Sequence, residues 1–401
     1  MTEDSEPPER SSSANTDPDR LFTPEFVRVL LVQMSFGFSF SIFLLLPKFL
    51  AVELGAGPEL IGRVTAMAGV VGVLSVPFVG AWIDRRARRF LIAGGTLLTS
   101  LTAFGFAWVE SVDLWVFALR AVQGLAFVVV FNAGATLASD LAPRARLSQA
   151  LGIFGLSAVC MNAVAPAIAE PFSERFGWGK TFGLAACASL LAMLLALGIR
   201  ERRPEPARPR VRSGLLERRS LAILYAVGIG GAAFGALFTF VPPFALKLGI
   251  SRVSGFFVGY TLAVVCVRVM LGSLADRHGR RRVALLALSA YGIVTAAMAW
   301  LRPELLVAFG ACFGAAHGLF YPALNGLAIE GVPDGGRGSV MTFFNGAFNA
   351  GWAASALGLG TLAEHFGFPF VFLLMGVMTS TAVVMLALMP PAVVATRTEI
   401  E

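Results

Sequence analysis

Twelve runs of about twenty apolar residues follow one another along this chain, and they restrict its fold more than any other feature. An apolar helix of about twenty residues crosses the roughly 30 Å hydrocarbon layer of a bilayer. Strands of a membrane barrel would be about ten residues long with strict alternation, which these continuous runs lack. Only 14% of the residues are charged, against about 25% in soluble domains. We predict an all-α membrane protein with twelve transmembrane helices, near residues 26–46, 59–83, 90–109, 114–139, 148–169, 179–199, 220–246, 252–274, 283–301, 305–329, 339–362 and 369–389.

A ten-residue motif occurs twice, each time at the end of an apolar run. GAWIDRRARR begins at Gly80, and GSLADRHGRR begins 192 residues later at Gly272. A second pair of loops, each with an acid, a proline and an arginine, begins at Asp140 and 190 residues later at Glu330. Two matched pairs at nearly the same offset predict two pseudo-symmetric halves of six helices each.

The repeated acids need positive partners. Asp84 and Asp276 each stand where a helix ends, beside the negative end of the helix dipole. Arginines follow both acids within four residues, and Gly80 and Gly272 one turn earlier permit close approach of a neighbouring helix. Such a charge cluster can lock one arrangement of the two halves and release another. The alternative is that these loops are solvated connectors.

The distribution of Lys and Arg predicts the orientation in the membrane. These residues collect in alternate loops, including 85–89, 200–219 and 277–282, and the positive-inside rule places those loops in the cytoplasm. Both termini are then cytoplasmic, in a multi-pass protein of the plasma (inner) membrane. Topology and contact with anionic lipid account for the net charge of +7 without a nucleic-acid partner. The predicted units are a disordered tail over 1–20, a half over 21–199, a linker over 200–219, a half over 220–390 and a tail over 391–401.

From residue 21 onward the chain resembles the major facilitator superfamily, whose loop between the second and third helices carries the pattern GxLaDrxGRk. The copy at Gly272 is closer to that pattern than the copy at Gly80, which has Ala87 in place of the second glycine. The resemblance implies two six-helix halves that rock about a central site, with these loops as a cytoplasmic latch. The predicted latch residues, including the second pair of loops, are Gly80, Asp84, Arg85, Arg88, Asp140, Arg144, Gly272, Asp276, Arg277, Gly279, Arg280, Glu330 and Arg337.

The fourth apolar run contains Arg120, in a sequence that matches the RxxQG element of proton antiporters in this family. At 1.5 Å per residue from Asp113, Arg120 lies roughly 10 Å into the bilayer. Burying a guanidinium there costs about 2.5–3.5 kcal/mol, so the side chain should face a polar cavity or a partner. Gln123 shares its helix face. Arg120 then acts on a nearby acid or binds an anionic group of the substrate; the alternative is that it extends to the outer headgroups.

The tenth run resembles the HGLxYPAL segment of bacterial efflux permeases of the loosely defined arabinose-efflux-like group. His317, Tyr321 and Asn325 recur every four residues and form a polar stripe on one helix face. His317 is a candidate proton carrier or hydrogen-bond donor to substrate, or else a packing residue. Glu170 ends the fifth run and is a candidate partner of Arg120 or Arg175.

We expect a central cavity between the first, fourth, seventh and tenth helices. The candidate residues of the substrate and proton pathway are Gln33, Arg120, Gln123, Asn132, Glu170, His317, Tyr321 and Asn325. The leading hypothesis is proton-coupled export of a small organic solute or drug by alternating access; the alternative is a proton symporter or uniporter that takes up an organic anion or metabolite. No metalloprotease, nucleophile-elbow or P-loop motif is present, so we expect a monomeric transporter in the lipid bilayer rather than an enzyme, with no metal and no cofactor.

Overall fold

The computed structural model describes residues 21–201, 218–272, 274–330, 332 and 334–389, without the side chains of Asp84, Arg144 and residues 334–339. The predicted tails over 1–20 and 391–401 lie outside the described residues. So does the linker over 200–219, except for its first two and last two residues.

Every predicted run overlaps one long helix. The N-terminal half consists of α1 Pro24–Val52, α2 Pro58–Arg85, α3 Arg88–Phe106, α4 Leu114–Leu141, α5 Leu147–Phe176 and α6 Trp178–Leu197. The C-terminal half consists of α7 Arg218–Lys247, α8 Ser254–Leu271, α9 Arg280–Ala297, α10 Leu306–Ala328, α11 Asp334–Phe366 and α12 Phe368–Ala387. A one-turn helix, Leu274–His278, joins α8 to α9. The prediction of an all-α protein with twelve long helices is confirmed.

Eleven of these helices, within the described residues, are both long enough and apolar enough to cross a membrane. The exception is α11, which has 33 residues and the length to span. Asn345 and Asn349 lower its hydropathy. Both asparagines face other parts of the protein: Asn345 accepts a hydrogen bond from the Tyr321 hydroxyl, and Asn349 lines a cavity between the halves. The two asparagines of α11 therefore have contacts inside the bundle, although Asn345 is also exposed.

Glycines allow the helices within each half to pack closely. A Cβ atom added at Gly124 of α4 would lie 2.1 Å from the carbonyl oxygen of Ala68 on α2. A Cβ atom added at Gly314 of α10 would lie equally close to the carbonyl oxygen of Tyr260 on α8. Backbones can approach this closely only where the residue has no side chain. The glycine of the RxxQG element therefore packs α4 against α2.

The two halves contact each other mainly through α2 with α11 and α5 with α8. These pairs are equivalent under the duplication, because α8 corresponds to α2 and α11 to α5. On the α2 side, Gly62 and Gly69 face α11, where a Cβ atom at Gly62 would lie 2.2 Å from the carbonyl oxygen of Ala356. Each half thus presents a face of small residues to the other.

Candidate functional site

The bundle has two chemically different ends. The repeated arginine-containing loops, around Arg88 and Arg280, mark the end that we call the Arg-rich end. The opposite end, where α2 and α8 begin, we call the far end. Each end carries charged clusters, and a cavity lies between the halves in the interior.

At the Arg-rich end, each half holds its own ion cluster. In the N-terminal half, Arg88 Nη1 lies 2.8 Å from Asp140 Oδ2 and 3.4 Å from Glu201 Oε1, and Arg88 is buried. In the C-terminal half, Arg280 Nη2 lies 3.1 Å from Asp276 Oδ1. The structure therefore brings together predicted latch residues from both matched pairs of loops. Glu201 was not predicted, because it follows the last apolar run of its half and has no counterpart motif.

The remaining predicted latch residues differ in position. Glu330 is paired with Arg219, which sequence reasoning did not single out. Arg85, Arg277 and Gly272 are exposed, and Gly80 is half-buried. The side chains of Asp84, Arg144 and Arg337 lie outside the described residues.

The two copies of the repeated loop have different backbones. Gly279 has φ +90°, a conformation that residues with a side chain rarely adopt. Ala87, at the same place in the first copy, has φ −61°. The backbone conformation of the second copy thus requires a glycine. The backbone conformation of the first copy is one that alanine readily adopts.

At the far end, a buried ion pair of the N-terminal half makes hydrogen bonds to the C-terminal half. Glu170 of α5 is fully buried, and its carboxylate accepts hydrogen bonds from Lys48 Nζ at 2.6 Å and from the backbone N–H groups of Val253 and Ser254 at 2.9 and 2.8 Å. Those two N–H groups begin α8, whose own residues supply no capping side chain. A carboxylate at a helix N-terminus is favoured by the helix dipole. Glu170 of one half therefore caps a helix of the other.

Lys48 completes this link. Its ammonium group also donates to the carbonyl oxygen of Ser251 at 2.6 Å, and only 7% of Lys48 is exposed. We predicted that Glu170 pairs with Arg120 or Arg175; instead it pairs with Lys48. The reason is tertiary: the last turns of α1 lie beside α5, and spacing along the chain does not reveal this contact.

The reciprocal contact occurs on the other side of the far end. Glu364 of α11 accepts a hydrogen bond from the backbone N–H of Glu59 at 3.0 Å. Glu59 lies in the first turn of α2, which also lacks a capping side chain of its own. A repeated sequence signal marks this region: ERFG, beginning at Glu174, recurs as EHFG, beginning at Glu364, 190 residues later. Sequence reasoning missed this third matched pair.

The cavity lies between α1, α2 and α4 of one half and α7 and α11 of the other. Its two connected parts share Phe40, Thr65, Arg120 and Trp352. The larger part leaves about 40 Å³ for the centres of water-sized molecules, which is room for a few waters. The other lining residues are Phe43, Leu44, Pro47, Ala68, Gly69, Gly72, Val73, Gly124, Phe127, Val128, Phe238, Thr239 and Asn349.

The observed cavity lies partly, but not entirely, between the helices that were expected to form it. Arg120 lines it, and α1, α4 and α7 contribute to it as predicted, but α2 and α11 take the place of α10. The close contact between Gly69 and Ala353 explains this, because it brings α2 and α11 together and puts Thr65 and Trp352 in the wall.

Arg120 faces this cavity, and it does not extend to the headgroups. Its guanidinium donates to Gln123 Oε1 at 2.8 Å, and only 5% of the residue is exposed. This contact agrees with the prediction that Gln123 shares a helix face with Arg120. Arg120 Nε and Gln123 Nε2 are both buried without a hydrogen-bond partner.

His317 lies in an aromatic cluster inside the C-terminal half. Its Nδ1 is 2.5 Å from the hydroxyl of Tyr260, and its Nε2 is buried without a partner. The Phe234 ring contacts His317 at 5.3 Å between centroids, and also contacts Phe238 of the cavity wall at 3.9 Å. An aromatic layer thus separates His317 from the cavity.

The rest of the predicted pathway lies apart from the cavity. Tyr321 donates to Asn345 Oδ1 at 2.7 Å, and Asn325 is half-buried. Asn132 donates to the carbonyl oxygen of Val128 on its own helix at 2.7 Å, and Gln33 is buried in α1.

Arg268 of α8 lies within electrostatic range of His317, Tyr260 and Tyr321. Its half-buried side chain has an Nε atom with no hydrogen-bond partner. The structure associates Arg268 with the aromatic cluster, so the C-terminal half carries an interior cation of its own.

Comparison with known proteins gives relatives of one kind. The uncharacterised MFS-type transporter YfkF of Bacillus subtilis (strain 168) is 28% identical over 66% of this chain and 68% of its own length. The multidrug resistance protein MdtG of Serratia proteamaculans (strain 568) is 24% identical over 78% of this chain and 79% of its own. A multi-drug resistance efflux pump PmrA homolog of Lactococcus lactis (strain IL1403) is 24% identical, with 77% and 79% covered.

Solved structures agree in fold. A crystal structure of a variant of the nucleoside transporter NupG superimposes with a TM-score of 0.78 at 14% identity, covering 92% of this chain and 100% of that one. The sequence model of the Major Facilitator Superfamily matches residues 29–268 and 256–400. The repeated loops, the two six-helix halves and this match agree: the chain is a multi-pass membrane transporter that belongs to the Major Facilitator Superfamily.

Proposed function

We propose that this protein is a secondary transporter that exports a small organic solute in exchange for protons. The observation that carries the proposal is the cavity between the halves, with Arg120 of the RxxQG element in its wall. The relatives named as multidrug resistance proteins support export. The Arg-rich end is the cytoplasmic end in this proposal, with both termini inside and the protein in the plasma (inner) membrane.

Uptake of an organic anion or metabolite, by proton symport or uniport, is the second candidate function. Arg120 favours it, because a buried cation in the cavity wall suits a negatively charged solute. Both candidates use the same cavity, so they differ in direction and coupling.

Transport in proteoliposomes distinguishes these possibilities. Vesicles containing the full chain and an internal pH dye would be given ethidium, naphthalene-2-sulfonate or uridine under an imposed pH gradient. We expect at least one solute to move against the proton flux and to stop when an uncoupler is added. Movement that ignores the pH gradient would overturn proton coupling and leave a uniporter, and movement in the same direction as protons would favour symport.

We further propose that the Arg-rich loops act as a latch between two arrangements of the halves. Asp84→Asn and Asp276→Asn should each lower the transport rate at least tenfold, because Asp276 pairs with Arg280 and the duplication gives Asp84 the same role in the proposed latch. Glu304→Gln, an equal change of charge at an exposed loop before α10, is the control. Unchanged rates in both aspartate variants, with normal membrane insertion, would contradict the latch.

A further inference from the structure

The charge of the cavity wall is of one sign. Of the described residues that line this space, only Arg120 is charged, and the others are aromatic, aliphatic or neutral polar residues. A guanidinium keeps its positive charge under all ordinary conditions. The charge that a bound solute meets directly in this lining is therefore positive.

The Arg120 side chain has a hydrogen-bond donor that is not used within the described structure. It is 95% buried, its contact with Gln123 is made to a neutral amide oxygen, and its Nε has no partner. Leaving a buried N–H donor without an acceptor is unfavourable, and more so for a charged group. A negatively charged acceptor that bonds this guanidinium from the cavity would reduce that cost.

Aromatic rings line both sides of the same space. On the N-terminal half, Phe40 and Phe127 stack with centroids 4.5 Å apart. On the C-terminal half, Phe238 stacks on Phe234, which also contacts Trp352 at 5.6 Å. Planar rings offer a large apolar area and favourable edge and face contacts to another ring.

We propose that the cavity binds an aromatic organic anion, with its acid group on Arg120 and its ring between Phe40 and Phe127 on one side and Phe238 and Trp352 on the other. The proposal rests on the proposed function only in taking this cavity as the transport site. It is independent of direction and of proton coupling. A lipophilic cation would bring a second positive charge beside Arg120 in a medium of low dielectric constant, where like charges repel strongly.

Three probes of one shape test this directly. Naphthalene-2-sulfonate, 2-naphthylmethanol and 2-naphthylmethylammonium share a ring system and differ in charge. Their binding to the detergent-purified full chain would be measured by isothermal titration calorimetry. We expect the sulfonate to bind at least tenfold more tightly than the ammonium compound, with the alcohol between them.

Variants of Arg120 test whether this residue causes the preference for the sulfonate. Arg120→Gln should weaken sulfonate binding at least tenfold and abolish the order of charges, and Arg120→Lys should keep that order. Arg63→Gln is the control, since Arg63 is an exposed arginine of α2 paired with Glu59, and it should change affinity less than twofold. Equal or tighter binding of the ammonium compound to the unaltered chain would overturn the proposal, and so would unchanged sulfonate affinity in a folded Arg120→Gln protein. Failure of proton coupling in vesicles would leave this result intact, so the two proposals fail separately.

Discussion

Gly62→Val is expected to reduce transport by more than tenfold while leaving the amount of folded protein nearly unchanged. The added Cβ would lie 2.2 Å from the carbonyl oxygen of Ala356, in the contact between α2 and α11. Overpacking typically costs about 1–3 kcal/mol, and a clash with backbone has little means of relaxing. Because Gly62 and Ala356 belong to different halves, the halves can separate at the far end and relieve the clash. The variant should favour the arrangement that is open there.

Cysteine labelling measures the shift toward the arrangement that is open at the far end. Thr65→Cys, placed in a background without the four native cysteines, reports access to the cavity from the far end. An impermeant maleimide added on that side should label the Gly62→Val protein faster. Gly94→Val is the control, because a Cβ at Gly94 meets no atom within 4 Å. Gly124→Val gives a similar clash inside one half and should lower the yield of folded protein instead. Normal transport by Gly62→Val would exclude the α2–α11 contact from the transport cycle.

Glu170→Gln is expected to open the far end as well, by a different route. The neutral amide removes the ionic partner of Lys48 and weakens the cap on α8. Removing one member of a buried ion pair costs about 3–5 kcal/mol, because the remaining charge stays buried. A change of about 3 kcal/mol corresponds to a shift on the order of a hundredfold between two arrangements. Faster labelling at Thr65→Cys and a lower transport rate are the expected readouts.

Glu174→Gln is the matched control for this change. Glu174 lies one turn further along α5, is 40% exposed, and contacts Lys48 only at 3.8 Å. Its partner Arg252 is 70% exposed, so that ion pair contributes at most about 1 kcal/mol. Equal labelling rates in the Glu170 and Glu174 variants would show that the buried pair does not hold the far end closed.

The helices and the duplication could be predicted because each depends on information local to the sequence. Apolar runs of bilayer length give the helices directly, and the repeated loops at Gly80 and Gly272 give the two halves. The pairing of Arg120 with Gln123 also follows from spacing on one helix. The sequence was therefore sufficient to predict the helices and the division into two halves.

The interface between the halves was predicted less well, because glycine and alanine have no functional group that would mark a contact position in the sequence. Gly62 and Gly69 look like any glycines of an apolar run, yet they determine that α2 and α11 line the cavity. The Lys48–Glu170 pair joins residues 122 positions apart, and only the packed structure shows that α1 and α5 meet there. His317 was expected in the cavity wall, but aromatic residues of α7 lie between His317 and the cavity.

A duplicated chain contains, within one polypeptide, the isologous interface of a two-fold dimer, in which every contact made on one side is expected on the other. The helix caps at Glu170 and Glu364 follow that rule approximately, but Lys48 strengthens only the side formed by α5 and α8. On the α2–α11 side, the hydrogen bond at the far end in the described part of the chain is donated by the Glu59 N–H to the exposed carboxylate of Glu364. Separation at the far end therefore has to break buried, charged contacts between α5 and α8 but an exposed one between α2 and α11, so the polar resistance to opening differs between the two sides of a symmetric architecture.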